Sequence, residues 1–287
     1  MANCTTCGRE LPIFSGGSEA SNLCPDCRRR ESSTPAFPSA ESWPTVQPRH
    51  QATIARRFVS LTTLLVGANV AVFVLMALTG VSLLEPTSQQ LLKWGANWGP
   101  LSLGRQPWRL LTSNYLHIGI IHLFFNMWCL LNLGALAERV FDRWTYLLVY
   151  TASGLAGSVF SLWWHPTVIG AGASGAIFGL AGALIAALYL GKLPIPKEAV
   201  RSTMKSLLLF AGYNLFFGLR MGVDNAAHIG GLAGGLALGG FFSRHLLEPP
   251  EERQRWRTYA AIGVLVLFIG AMYYLRREYR PLPGLIK

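Results

Sequence analysis

Seven apolar stretches, near residues 59–78, 117–136, 145–164, 168–190, 206–222, 226–243 and 258–275, decide what this chain can become. Crossing a bilayer takes roughly 20 apolar residues in helical form, and the fifth stretch is the shortest of the set. Lipid offers no partner for backbone N–H and C=O groups, so a spanning segment satisfies them internally, as a helix does. The expectation is an all-α polytopic membrane protein. Composition agrees: 51% of residues are hydrophobic and 14% charged, well short of the quarter or so charged in soluble domains. The chain opens on a polar, cysteine-bearing segment instead of a basic start and an apolar core, so no cleavable signal peptide is expected.

A net charge of +11 invites a nucleic-acid partner. The charges form no single basic face, however, and none is expected. They collect instead in alternate loops: Arg139 and Arg143 after the second stretch, Lys192, Lys197, Arg201 and Lys205 after the fourth, Arg244, Arg253, Arg255 and Arg257 after the sixth. Loops rich in Lys and Arg stay cytoplasmic. With Arg56 and Arg57 before the first span, the N-terminus is placed in the cytoplasm of a multi-pass cell (plasma or inner) membrane protein. The tail, with Arg276, Arg277, Arg280 and Lys287, then lies outside and breaks the rule. The earlier spans are taken to dominate orientation.

Cys4-x2-Cys7 and Cys24-x2-Cys27 use four of the five cysteines. Two such knuckles predict a structural zinc ribbon, four thiolates closing a tetrahedral site. Two disulfides are the competing reading, which a reducing cytosol disfavours. A segment this short has too little core to fold without metal. The ribbon implies a cytoplasmic partner that the sequence does not name. Residues 1–31 therefore read as the ribbon, and the Pro/Ser-rich run over 32–56 as a flexible linker. Cys129 reads as a small apolar packing residue.

Polar and ionisable residues inside spans are costly and mark function. His122 and Asn126 stand early in the second span, Ser174 early in the fourth and His228 early in the sixth. At about 1.5 Å per residue, all four fall in the outer half of the membrane. Gly231, Gly235 and Gly239 follow His228 on one helix face, and Gly175 and Gly179 accompany Ser174. Such small-residue faces let backbones approach closely, near enough for a serine oxygen to meet an imidazole nitrogen. Taken singly, each has a plainer role: the serine as packing, the asparagine as interhelical glue, the histidine as a helix bridge. The HExxH of a zinc protease, paired intramembrane aspartates and a GxSxG elbow are all absent.

From about Trp94 to Gly240 the chain resembles the rhomboid intramembrane serine proteases. The matching pieces are Trp108-Arg109, His117, His122-x3-Asn126, Glu138-Arg139, Gly172-Ala173-Ser174-Gly175 and Asn225-Ala-Ala-His228, in that order. The resemblance implies a six-helix core over 57–243, with 244–287 adding a linker, a seventh transmembrane helix and a short tail. It implies a Ser-His dyad in which Ser174 is the nucleophile and His228 the general base and acid. His122, Asn126 and the Ser174 backbone N–H would form the oxyanion hole, with no cofactor for catalysis. Phe178, four residues after Ser174, would pack on His228 where rhomboids often have tyrosine. Trp108-Arg109 would anchor the first loop, and Glu138-Arg139 would tie down one end of the second span. His117 and His165 would help keep the site wet, Asp224 offers a secondary means of orienting His228, and the aromatic fifth span is the candidate lateral gate. The substrate would be a transmembrane protein cut near the outer face. The alternative is a non-catalytic scaffold of the same fold that binds transmembrane helices in the lipid bilayer.

Overall fold

A computed structural model describes residues 3–10, 23–33, 60–219 and 223–279. The chain divides into two compact units, Met1–Phe58 and Val59–Lys287. The linker expected over 32–56 lies, from residue 34 on, outside the described residues, as do Arg56, Arg57, Arg280 and Lys287.

In the first unit, a tight turn carries Cys4 and Cys7. Gly8 takes φ +73° and its N–H donates to the Cys4 carbonyl at 2.9 Å. The second cysteine pair brackets the start of helix α1 (Pro25–Ser33), with proline at the first helical position, where it lacks no needed donor.

Among the described residues, the regular structure of the second unit is helical, with one isolated bridge between Asn97 and Gly170. Its order is α2 (Leu61–Leu78), the short α3 (Ser88–Trp94), α4 (Gly99–Ser102) and α5 (Arg109–Thr112), then α6 (Ile120–Val140), α7 (Arg143–Trp164), α8 (Ser174–Leu190), α9 (Lys197–Gly218), α10 (Asn225–Ser243) and α11 (Pro250–Glu278). Among the described residues, α2, α6, α7, α10 and α11 are long and apolar enough to cross a membrane. Large apolar side chains such as Phe124, Phe125, Trp128, Leu208, Leu209, Leu265 and Leu267 stay exposed on the bundle surface. A soluble protein avoids so large an apolar exterior; a membrane protein requires it.

Side chains cap the starts of α2, α7 and α10. Ser60 Oγ accepts from Thr63 N–H, Asp142 from the Trp144 and Thr145 N–H groups, and Asp224 from Ala227 N–H, each satisfying donors the first turn leaves orphaned. Burial raises the Asp142 carboxyl pKa, but bonds from Thr145 and the nearby Arg257 and Arg253 hold it below its ordinary value. Glu138 accepts from Ser60 Oγ at 2.9 Å and from Thr62 N–H at 2.9 Å. It therefore ties the end of α6 to the start of α2, the part the resemblance implies for Glu138.

Three spans differ from expectation, the seventh because its helix already starts at Pro250 and runs to Glu278; the other two bear on the site. The fourth begins at Ser174, not near 168, because Gly170 is bridged to Asn97 and Gly172 takes φ +145°, which L side chains disfavour. Its 17 residues make a helix of about 25 Å, short of the roughly 30 Å hydrocarbon core. Thirteen of the 17 are buried, so α8 is the hub of the bundle. The fifth runs over Lys197–Gly218 and not from 206. Its first half carries Lys197, Arg201 and Lys205, so its apolar part is the second half alone.

The core of the packing is α8 against α10, the most extensive interface in the bundle. A Cβ at Gly231 would overlap the Gly175 carbonyl, one at Gly235 the Gly179 carbonyl, and one at Gly239 the Ala183 backbone. On the other side of α10, a Cβ at Gly157 of α7 would come within 2.6 Å of the Ala227 carbonyl. Helix association in lipid runs on such close van der Waals contact, since water supplies no driving force there.

Candidate active site

Ser174 opens α8 and His228 lies in the first turn of α10, so the glycine-lined contact brings both to the same end of the bundle. His228 Nε2 lies 2.9 Å from Ser174 Oγ, within reach for proton transfer. The imidazole is 5% exposed. Phe178, one turn beyond Ser174, stacks on it with ring centroids 4.2 Å apart and planes 12° from parallel. Nδ1 of His228 is buried and has no hydrogen-bond partner among the described residues. Stacking, and not a carboxylate, holds this ring.

Asp224 takes a different part. Its carboxylate caps α10 and accepts from Ser161 Oγ at 2.6 Å, which braces α7 against the start of α10. It makes no bond to the His228 ring, so the secondary reading of Asp224 as an orienting group is set aside.

His122 and Asn126 sit on the first two turns of α6. His122 Nδ1 accepts from Ile118 N–H at 3.3 Å. An imidazole accepting through Nδ1 carries its proton on Nε2. A Cβ built on Gly172 would lie 3.1 Å from His122 Nε2 and 3.7 Å from Ser174 Oγ, so donor and hydroxyl border one small space that only glycine leaves open. Asn126 is 6% exposed and donates through Nδ2 to the His122 carbonyl at 2.9 Å. The amide keeps a second hydrogen for another acceptor.

Beside Ser174 lies a polar cavity of about 30 Å³, lined by Asn97, Ser113, Asn114, Ser158, Ser161 and Gly172 among others. Its size and polarity suit a water or two. Apart from Gly172, no reading of the sequence singles these residues out. The available signal is polar serines on α7 in an otherwise apolar span. His117, by contrast, is fully buried against the His122 ring at 5.3 Å between centroids. A side chain so buried does not line a wet mouth; His165 is exposed. Arg109 is buried and donates to the Leu92 and Ala96 carbonyls at 2.7 and 3.1 Å, which staples the first loop from within.

In the first unit, the four sulfurs of Cys4, Cys7, Cys24 and Cys27 lie within 4.8 Å of one another. Cys7 and Cys24 Sγ stand 3.6 Å apart, unbonded and close to the roughly 3.8 Å edge that a tetrahedron of 2.3 Å zinc–sulfur bonds requires. Cys24 N–H donates to Cys4 Sγ at 3.2 Å, and chiefly that bond draws the Cys4 thiol down to about 6. Cys27 is pushed up to about 12, first by its contact with Cys24. Four thiols so crowded cannot all ionise without a cation among them, and a zinc ion fits the donor set.

A Rhomboid domain family model matches residues 104–245. The chain is similar to the "RHOMBOID-like protein 7" of Arabidopsis thaliana, with 40% identity over 173 residues, 60% of this chain and 55% of that protein. It is similar to the "Rhomboid protease GluP" of Bacillus subtilis, with 36% identity over 217 residues, 75% of this chain and 40% of that protein. Against the "Rhomboid protease AarA" of Providencia stuartii, identity is 35% over 196 residues, 60% of this chain and 69% of that protein. The chain thus spans about half or less of the length of the first two of these relatives.

Proposed function

Because the chain belongs to the rhomboid family, we propose that it is an intramembrane serine endopeptidase acting through a Ser174–His228 dyad. The observation that carries this reading is the 2.9 Å contact between Ser174 Oγ and His228 Nε2. In the first step, Nε2 takes the hydroxyl proton as Oγ attacks the substrate carbonyl carbon. The developing oxyanion is met by the Ser174 N–H, unpartnered within its helix as a first-turn donor, by His122 Nε2–H and by the free Asn126 amide hydrogen. Protonated His228 then gives its proton to the leaving amine as the C–N bond breaks. Water from the polar cavity hydrolyses the acyl-enzyme, with His228 again the base.

The substrate is a membrane protein whose transmembrane helix unwinds near the Ser174 end of the bundle. Phe210 of α9 lies over Phe178 at 5.4 Å between ring centroids, so outward movement of α9 would uncover the dyad from the lipid side. The scaffold alternative needs neither a paired serine and histidine nor a polar cavity beside them. The N-terminus and ribbon are assigned to the cytoplasm of a plasma or inner membrane, with the dyad in the outer half.

A fluorophosphonate probe on the purified protein in detergent tests the nucleophile. We expect a single adduct on Ser174 by peptide mass spectrometry, lost in His228→Ala. Folded wild-type protein that leaves Ser174 unlabelled, or a label indifferent to His228, would sink the dyad.

The ribbon holds a structural zinc through Cys4, Cys7, Cys24 and Cys27, a closed set with no position left for a substrate. Purified full-length protein should carry one zinc per chain by metal analysis, and Cys24→Ser should lose most of it. Equal zinc in both would remove the assignment.

A further inference from the structure

Helix α11 is only 17% buried along its membrane-length window, and its polar attachments fall at its two ends. At one end, Arg253 and Arg257 reach Asp142 at 3.4 and 2.7 Å. At the other, Arg276 Nε donates to the Leu103 carbonyl at 2.8 Å and its Nη2 donates to the Gly104 carbonyl at 3.1 Å. Tyr279 OH donates to the Trp163 carbonyl at 2.8 Å. Beneath Arg276, Met272 and Leu275 are buried in one cluster with Leu103, Leu110 and Leu162.

An arginine in the last turn of a membrane helix has an ordinary role. It complements the helix dipole and anchors the helix at the interface, and neither use requires a particular partner. Here the guanidinium grips two successive carbonyls of the first loop, and the fork geometry of arginine suits that task better than a lysine point charge. The loop it grips is continuous with the support of the nucleophile. Asn97 and Gly170 exchange backbone bonds at 2.9 and 2.8 Å, and Gly99 N–H donates to the Pro166 carbonyl at 2.8 Å. Gly172 N–H donates to the Ser113 carbonyl at 2.9 Å. The run over 166–172 that feeds Ser174 therefore hangs on the loop over 97–113, and Arg276 grips that loop in its middle.

We propose that Arg276 is a positioning residue for the hydrolysis assigned above, holding the 99–104 turn so that the 166–172 run presents Ser174 to His228. The inference rests on that functional reading for its kinetic half and on geometry alone for its structural half. It also accounts for one basic residue at the end of α11 that the loop-charge pattern leaves unexplained.

Full-length Arg276→Gln, Arg276→Lys and Arg257→Gln are compared in liposomes by cleavage kinetics, thermal unfolding and amide hydrogen exchange. Arg257→Gln removes the shorter of the two ion pairs at the opposite end of α11 and touches nothing in the first loop. For Arg276→Gln we expect kcat to fall ten- to a hundredfold with KM within about twofold, the cost of a small misplacement at the reacting atoms. Exchange at 99–104 and 166–172 should quicken, and Arg276→Lys should recover part of both. Arg257→Gln should lower the unfolding temperature while keeping wild-type kcat and wild-type exchange in those runs. The proposal is overturned if Arg276→Gln keeps wild-type exchange there. It is equally overturned if the two Gln variants lose kcat in step with their unfolding temperatures. Should the wild type cut nothing, the hydrolysis reading fails, and the exchange comparison alone decides whether Arg276 braces the loop.

Discussion

A single methyl group placed on Gly235 is expected to abolish cleavage and to destabilise the bundle by about 3 kcal/mol, at or beyond the upper end of ordinary overpacking. The new Cβ would overlap the carbonyl oxygen, carbonyl carbon and Cα of Gly179. All three are backbone atoms of the buried hub helix, so no side chain can swing aside. α8 and α10 must separate, and the Ser174–His228 contact stretches with them. Gly240→Ala is the matched control on the same helix. Its Cβ meets only Leu190 Cδ1, at an ordinary 3.6 Å, and alanine favours a helix by up to about 1 kcal/mol over glycine. Thermal unfolding and cleavage measured together decide the matter. Gly235→Ala cutting at the wild-type rate with an unchanged midpoint would mean that the close contact does not govern the site.

The second large effect concerns the dyad itself. His228→Ala should lower kcat by about 10⁴-fold or more, the scale seen when a base or nucleophile of a serine hydrolase is removed. The midpoint of unfolding should move little, because the ring makes no hydrogen bond other than the one to Ser174 among the described residues. What it loses is the stack on Phe178. Groups that act as one unit are not additive, so Ser174→Ala/His228→Ala should be no slower than either single variant. A further large drop in the double variant would show that the two side chains work independently.

Much of this arrangement was legible in the residue pattern because membrane helices obey few rules. Apolar length marked the spans, polar residues within them marked the candidate site, and the glycines at intervals of four marked the face on which α8 meets α10. Phe178 came from the resemblance, which puts an aromatic residue one turn after the serine. Of the first loop, only the anchoring part of Trp108-Arg109 was legible, and that through the family resemblance. α3, α4 and α5 are too short for periodicity to register, and their fold depends on Arg109 donating to carbonyls 13 and 17 residues earlier in the chain. The polar cavity escaped for a related reason. Asn97, Ser113 and Asn114 come to it from the first loop, and Ser158 and Ser161 from α7. Each alone reads as a loop or packing residue. Proximity also misled at Asp224, where four residues of spacing suggested a partner for His228. The carboxylate instead caps its own helix and takes the Ser161 hydroxyl.

The most direct measurement is cleavage of a single-span substrate by the purified full chain in liposomes, wild type beside Ser174→Ala. The account predicts one cut near the substrate helix end that faces Ser174, and no product from the variant beyond background. Equal cutting by both would place the nucleophile elsewhere. A folded wild type that binds the substrate helix and cuts nothing would contradict the protease and leave the scaffold.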